Sequence, residues 1–101
     1  MTKNDFAVNT KYVVTYKDSS GKLRPGNFYV YRLYDEYMIA RNTDKSSLLH
    51  KLKYEDVVKI VKTIQVANYH QFKLPEVVLE EKNWKDRDVM HTYTSHPGLG
   101  K

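Results

Sequence analysis

Cysteine is absent from this 101-residue sequence. Its absence excludes disulfide bridges, thiolate metal ligands and a thiol nucleophile. Small secreted domains often depend on disulfides, so we expect this chain in a reducing compartment, the cytoplasm. Long apolar runs are also missing: no stretch approaches the roughly 20 apolar residues that a membrane helix needs, and residues 1–10 lack the apolar run of a signal peptide. We therefore expect a soluble protein with no membrane contact.

Motifs that would indicate catalysis or metal binding are missing as well. There is no G-x-S-x-G, no H-E-x-x-H, no phosphate-binding loop and no glycine-rich dinucleotide turn. His91 and His96 lie five residues apart, near Asp86 and Asp88, but this spacing matches no established metal site. We therefore predict a protein that is not an enzyme and that uses no cofactor or metal.

The positive charge of the chain is unevenly distributed. The net charge is +5, and residues 1–62 carry all of it, with 12 Lys and Arg against 7 Asp and Glu, whereas residues 63–101 have 5 of each. This excess permits attraction to phosphate, although proteins that never bind nucleic acid often carry as much. The chain also has nine tyrosines, which favour strands and suit recognition surfaces.

Five short segments have the Val-, Ile-, Thr- and Tyr-rich composition of strands: residues 11–17, 27–34, 37–42, 48–53 and 57–66. Turn residues 18–21, a break at Pro25-Gly26 and a short corner at residues 54–56, which a single 3₁₀ turn would suit, separate them. In the fifth segment Val58, Ile60, Ile64 and Val66 share one face that Lys62 interrupts, which predicts a strand end or a bulge near Lys62. Closely spaced strands of this kind predict a mainly β fold, a five-stranded small barrel over residues 11–66, preceded by a flexible N-terminus at residues 1–10.

The last third, residues 67–101, has a different pattern. Pro75 suits the first turn of a helix, and Val77 and Trp84 are seven residues apart, so a C-terminal helical appendage is predicted over residues 75–88. Residues 77–79 also fit a short strand. Residues 94–101 are rich in Pro and Gly and predict an extended or disordered tail.

Residues 34–61 resemble the Sm-like family of small β-barrels, in particular its Hfq branch. The resemblance lies in the run Tyr34-Asp35-x-Tyr37-Met38-Ile39-x-Arg41-Asn42-Thr43, followed by a polar loop and an apolar-basic strand at residues 48–51. The family's second motif, a basic residue beside Gly or a Tyr-Lys-His triplet, is not present. The resemblance implies an Sm- or SH3-like barrel, and it also implies ring assembly and RNA binding.

The resemblance implies a nucleic-acid site at strand ends and loops, formed by Tyr37, Arg41, Asn42, His50 and Lys51. Aromatic rings and guanidinium planes stack on bases, amides read base edges, and lysines neutralise phosphate. The same residues would also suit ordinary strand packing and a solvated face.

The apolar residues of the last third provide a second hypothesis. Trp84, Met90 and Tyr93 are too apolar for a free tail, so we expect them to pack on the barrel or on a second copy of the chain. Two functions follow from the sequence: a module that binds single-stranded RNA through the basic, Tyr-rich barrel, or a protein-interaction or homo-oligomeric assembly module that uses its C-terminal segment.

Overall fold

Six antiparallel strands form one open sheet in the computed structural model, which describes residues 1–43, 48–67 and 74–91. The strands are β1 (Thr10–Lys17), β2 (Leu23–Leu33), β3 (Tyr37–Asn42), β4 (Leu48–Lys53), β5 (Val57–Gln65) and β6 (Val89–His91). Their order across the sheet is β5-β1-β2-β3-β4-β6. The first four strands therefore form a meander, while β5 returns to pair with β1 and β6 pairs with β4. The prediction of a mainly β fold is confirmed.

The turns follow from local chemistry. Asp18 closes the β1–β2 turn, because its side chain accepts hydrogen bonds from the backbone N–H groups of Ser20 and Lys22. Gly21 supplies the left-handed conformation of this turn, with φ of 82°. Residues 54–56 form the predicted 3₁₀ corner between β4 and β5.

The predicted break at Pro25-Gly26 is wrong, because both residues belong to β2. Pro25 lies opposite Thr15 and Gly26 opposite Val14 in the pairing with β1. A side chain cannot be accommodated at position 26, since a Cβ there would lie 2.5 Å from the Phe28 ring and 2.9 Å from the Tyr16 ring. Glycine here serves close packing of two rings rather than a turn.

One face of the sheet, which we call the inner face, carries a core to which all of the first five strands contribute. Its buried residues are Phe6, Tyr12, Val14, Phe28, Val30, Met38, Ala40, Leu52, Tyr54 and Val57. Phe6 reaches this core from the N-terminal segment, where residues 3–5 form a 3₁₀ turn, and its ring packs against those of Tyr12 and Tyr54. The N-terminus that was predicted to be flexible, residues 1–10, thus contains two buried residues, Phe6 and Thr10.

Two bulges in β5 decide which of its residues are buried. Val13 pairs with Lys62 while Val14 pairs with Ile60, so an extra residue lies at position 61, which confirms the irregularity predicted near Lys62. A second shift, between Thr15 and Tyr16, leaves Val58 out of the ladder. Val57 is therefore buried and Val58 is 48% exposed. Ile60 lies opposite Val14 on one face and Ile64 opposite Lys11 on the other, so the prediction that Val58, Ile60, Ile64 and Val66 share one face is wrong.

The segment of residues 74–91 covers the other face of the sheet, which we call the outer face. A single helix over residues 75–88 is not formed: the chain makes two 3₁₀ turns, Glu76–Leu79 and Glu81–Trp84, and then β6. These turns direct Val78, Leu79, Trp84 and Met90 onto a cluster that also contains Tyr29, Tyr31, Ile39 and Leu49. A regular helix would place apolar side chains on one stripe, whereas here they must cover three strands. The tail at residues 94–101 lies outside the described residues.

Trp84 is the centre of this second core. Its side chain is completely buried, and its indole N–H donates to the Val78 carbonyl at 2.8 Å. Burial of a large apolar side chain contributes about 1.5–3 kcal/mol, so the four buried residues of this segment together contribute a free energy comparable to the stability of a whole domain, about 5–15 kcal/mol. Residues 74–91 are thus part of the fold. No helix among the described residues is long and apolar enough to cross a membrane.

Replacing Trp84 by alanine is expected to lower the free energy of unfolding by about 3–5 kcal/mol, because the change leaves a cavity and removes the indole hydrogen bond. Urea denaturation followed by fluorescence of the tyrosines or by circular dichroism measures the change. Val77→Ala in the same segment is the control, since Val77 is 45% exposed and should change stability by less than about 0.5 kcal/mol. Equal stability of the two variants would contradict the assignment of Trp84 to the core.

Candidate nucleic-acid interface

The five residues of the predicted nucleic-acid site lie on both faces of the sheet. Alternate residues of a strand point to opposite faces. On β3 and β4 this rule places Tyr37, Arg41 and Lys51 on the outer face, and it places Asn42 and His50 on the inner face, opposite Phe28 and Ala40 respectively. The structure therefore does not bring the five together into one site.

Tyr37 and Lys51 hold the C-terminal segment in place. The Lys51 ammonium donates to the Trp84 carbonyl at 2.8 Å and lies 4.9 Å from the centre of the Tyr37 ring. The Tyr37 hydroxyl lies 3.3 Å from a carboxylate oxygen of Glu81. Burial raises the pKa of Tyr37 to about 12, and the negative charge of Glu81 adds to the effect. Both side chains are engaged in packing within the chain.

Arg41 and Asn42 lie at the end of β3. Arg41 is half-buried beside Tyr31, to which it is hydrogen-bonded; burial raises the pKa of Tyr31 and this contact opposes the rise. Asn42 is buried, with 7% of its surface exposed. Of this pair, only Arg41 offers surface to a ligand.

His50 lines a cavity of about 430 Å³ between the β1–β2 turn and the end of β4. Its ring packs edge-on against Phe28, 5.5 Å between centres. Tyr16 packs on Phe28 in the same manner at 5.4 Å and also lines the cavity. The volume falls within the range of small-molecule sites, about 300–1,000 Å³. Lys51 is the only other residue of the predicted site that borders this cavity.

The three residues predicted for protein interaction have separate outcomes. Trp84 and Met90 are buried in the outer-face core of their own chain, where Trp84 has no exposed surface. Of the alternatives that the sequence left open, packing on the sheet is therefore the one observed for these two. Tyr93 lies outside the described residues.

A row of lysines that the sequence alone does not reveal lies on the outer face of the β1–β5 pair. The register places Lys11 opposite Ile64, Val13 opposite Lys62 and Thr15 opposite Lys59, all on this face. Lys17 follows two residues after Thr15. Each successive row of the ribbon thus carries one lysine, and we call Lys11, Lys62, Lys59 and Lys17 the lysine ladder. Two residues of strand span about 6.6 Å, which is the spacing between rows.

No carboxylate interrupts this ladder within the strands, because none of the six strands contains Asp or Glu. Each basic residue of a strand therefore has no acidic residue within the same strand. These basic residues are Lys11, Lys17, Arg24, Arg32, Arg41, Lys51, Lys53, Lys59 and Lys62. The acidic residues occupy turns and connections. The signal was present in the sequence as acid-free strand segments, but alignment of the lysines required the register.

Lys59, Lys62 and Lys17 are exposed, and Lys11 is half-buried. Val13, Thr15 and Ile64 lie between them and are half-buried, so apolar and hydroxyl-bearing surface separates the charges. The described part of the C-terminal segment packs mainly over β2, β3 and β4. The β1–β5 part of the outer face thus carries positive charges separated by neutral surface, and such a surface attracts anions.

Charged and polar side chains interact within the β1–β2 turn, which lies at the end of the ladder. The Arg24 guanidinium donates to Asp18 at 2.8 Å, and the Ser20 hydroxyl donates to the same carboxylate. These contacts hold the pKa of Asp18 well below its ordinary value, with Arg24 the largest cause. Asp18 is thus fully ionised at neutral pH, and its charge is matched by a neighbouring cation.

Comparison of the chain with protein-family models, with curated proteins and with solved structures finds no match. Across residues 1–43, 48–67 and 74–91, no group of three or more His, Asp or Glu side chains could hold a metal ion.

Replacing Glu81 by glutamine is expected to lower the pKa of Tyr37 from about 12 toward the ordinary value of 10, without restoring it fully, because burial is the larger cause. Absorbance of the tyrosinate or NMR of the Tyr37 ring during an alkaline titration measures the shift. Glu80→Gln is the matched control, since Glu80 faces Lys82 at 3.6 Å.

The sign of the linked effect on stability can be checked in the same samples. A raised tyrosine pKa means that the folded state favours the neutral phenol, so this contribution is complete below pH 10 and is lost as the pH rises toward 12. Glu81→Gln should make unfolding less sensitive to pH over that window. An unchanged Tyr37 pKa in Glu81→Gln would contradict the electrostatic contact.

Proposed function

We propose that this chain is a non-enzymatic binding module whose ligand is single-stranded RNA, held along the lysine ladder. The observation that carries the proposal is the alignment of one lysine in each row of the β1–β5 outer face, on strands that contain no carboxylate. A phosphodiester backbone carries one negative charge per nucleotide and attracts such a row. Half-buried Val13 and Thr15 offer neutral surface between the charges for sugars and bases.

A single strand fits this arrangement better than a duplex. The ladder places one lysine in each row along a single pair of strands, with Lys11 and Lys17 on β1 and Lys59 and Lys62 on β5, so it can follow one backbone. Rings for base stacking lie at its end, where Tyr16 and His50 border the cavity. The proposed site differs from the one implied by the family resemblance. Of the residues in that earlier site, Arg41 lies on the same face as the ladder, and His50 and Lys51 border the cavity. Tyr37 and Lys51 contact the C-terminal segment.

Two features of the fold support a small-barrel architecture for this module. Side chains from β1, β2, β3, β4 and β5 share one inner core, as expected when a sheet curls on itself. A 3₁₀ turn joins β4 to β5, which lie at opposite sides of the five-strand array. We therefore propose a partly open, Sm- or SH3-like barrel with a covering C-terminal segment.

The alternative, assembly or protein interaction through the C-terminal segment, has less support. Trp84 and Met90, its proposed anchors, are buried against their own sheet. The exposed edge at β5 carries two bulges and two lysines, features that oppose pairing with another strand. No described feature favours a second copy over RNA as the occupant of the outer face.

The ladder predicts salt-dependent binding that is lost with its lysines. A fluorescent single-stranded oligonucleotide should bind at low salt, with an affinity that falls as salt rises. Replacing Lys11, Lys59 and Lys62 by glutamine should make the slope of log K against log salt shallower by about 2, at about 0.7 per lost phosphate contact. Fluorescence anisotropy at several salt concentrations measures both quantities.

The matched control replaces Lys3, Lys82 and Lys85 by glutamine. These lysines are also exposed but lie outside the strands, so the variant loses the same charge while it keeps the ladder. Its slope should stay close to that of the unmodified protein. Absence of binding at low salt, or equal weakening by both triple variants, would refute the proposed interface.

A further inference from the structure

The lysine ladder ends at the cavity of about 430 Å³, and Lys17 belongs to both. Lys17 lies in the row that follows the Thr15–Lys59 pair, next to the cavity wall formed by Tyr16. A strand of RNA that follows the ladder therefore reaches the mouth of the cavity within about one row of the sheet.

The apolar part of the cavity suits a planar ring. Buried Leu52 lines the cavity together with Tyr16 and His50. The planes of the Tyr16 and His50 rings lie at 78° and 81° to the Phe28 ring, on which both pack edge-on. Aromatic walls of this kind stack on or enclose nucleobases, and stacking contributes about 1–3 kcal/mol per base. Shape and polarity alone would accept any of the four bases.

The charged part of the cavity contains both cations and carboxylates, which narrows the choice of nucleobase. Lys17 and Lys53 supply ammonium donors, while Asp56 and Asp88 supply carboxylate acceptors. The third carboxylate, Asp18, already accepts hydrogen bonds from Arg24, Ser20 and Lys22. Asp56 is half-buried and Asp88 is exposed, so Asp56 is the better-shielded acceptor, and its hydrogen bonds compete less with water.

Guanine matches this pattern of donors and acceptors. Its O6 and N7 atoms accept hydrogen bonds from cationic side chains, and its N1–H and N2–H₂ groups are adjacent donors that a carboxylate can accept with both oxygens. Uracil presents a single N3–H donor between two carbonyl oxygens, so a carboxylate that accepts from this N–H also lies against a carbonyl oxygen that repels it. Adenine and cytosine each present one amino group beside a bare ring nitrogen.

We infer that the cavity between the β1–β2 turn and β4 receives one guanine of a bound single strand, with Asp56 accepting hydrogen bonds from its N1–H and N2–H₂ groups. The inference rests on the proposed RNA-binding function and deepens it, because it gives the ladder a base-selective end. Lys17 then has two roles, since it contacts phosphate at the last row and borders the base site.

Three fluorescent oligonucleotides test this assignment by anisotropy at one low salt concentration. The first is oligouridylate, the second carries a single central guanosine, and the third carries inosine at that position. Inosine lacks only the 2-amino group of guanine. We expect the guanosine oligonucleotide to bind on the order of tenfold more tightly than oligouridylate, with inosine in between.

Asp56→Asn should remove the difference between guanosine and inosine while it leaves the affinity for oligouridylate unchanged or slightly higher, because the ladder is intact. Asp86→Asn is the matched control: Asp86 is exposed and does not border the cavity, so it should retain the guanosine preference. A thermal melt by circular dichroism verifies that both variants are folded, and the comparison of the three oligonucleotides on the unmodified protein needs no variant.

The outcomes separate the two proposals. Equal binding of all three oligonucleotides would overturn the guanine site and leave RNA binding along the ladder in place. Retention of the guanosine preference in folded Asp56→Asn would overturn the role of Asp56. Absence of binding to any of the three would overturn both the site and the proposed function.

Discussion

The sheet of this protein is apolar on both faces in its β2–β3–β4 half, and every other feature of the structure depends on covering both. In β2, Phe28 and Val30 point inward while Tyr29 and Tyr31 point outward, and all four are buried. Side chains from β1, β2, β3, β4 and β5, together with Phe6 and Tyr54, pack together on the inner face. The outer face needs a separate segment, and Val78, Leu79, Trp84 and Met90 provide it. Because burial of these side chains contributes on the scale of the whole folding free energy, the segment is a second layer of the core.

The covering segment explains why some basic side chains of the sheet are available to a ligand and others are not. Arg32 donates from Nη2 to both carboxylate oxygens of Glu76, and Lys51 donates to the Trp84 carbonyl, so both residues hold the segment on the sheet. Among the described contacts, the lysines of β5 make none to this segment. The same two residues, Lys59 and Lys62, sit on an edge strand with two bulges, where charge discourages pairing with another sheet. A row of cations that keeps the edge free of other strands is also the row that we propose holds a polyanion.

The sequence predicted five strands with nearly correct bounds because their composition is strong and their turns carry Asp, Ser and Gly. It was wrong at Pro25-Gly26, which looks like a turn but pairs with β1, since glycine was needed there for the Phe28 and Tyr16 rings. It was wrong about a helix over residues 75–88, where a seven-residue spacing between Val77 and Trp84 indicated a common face. Val77 is 45% exposed and Trp84 is fully buried, because two separate 3₁₀ turns break the helical period.

The residues of the predicted nucleic-acid site show the same limit of prediction from sequence. Tyr37, Arg41, Asn42, His50 and Lys51 have the chemistry of RNA contacts, but strand alternation divides them between two faces, and the C-terminal segment occupies part of one. The lysine ladder could not be recognised in the sequence, since Lys59 and Lys62 are three residues apart and would point to opposite faces of a regular strand. The extra residue at position 61 places them on the same face.

The sequence by itself determined the class of the fold and the location of the charge, because strand propensity, turn chemistry and the absence of acidic residues from the strands are local properties. The tertiary structure decided which lysines align, which aromatic residues are covered and where a cavity opens. These depend on register, on two bulges and on the path of residues 74–91 over the sheet. Pairing across strands and docking of a distant segment are long-range choices, and side-chain packing settles them rather than the preference of any single residue.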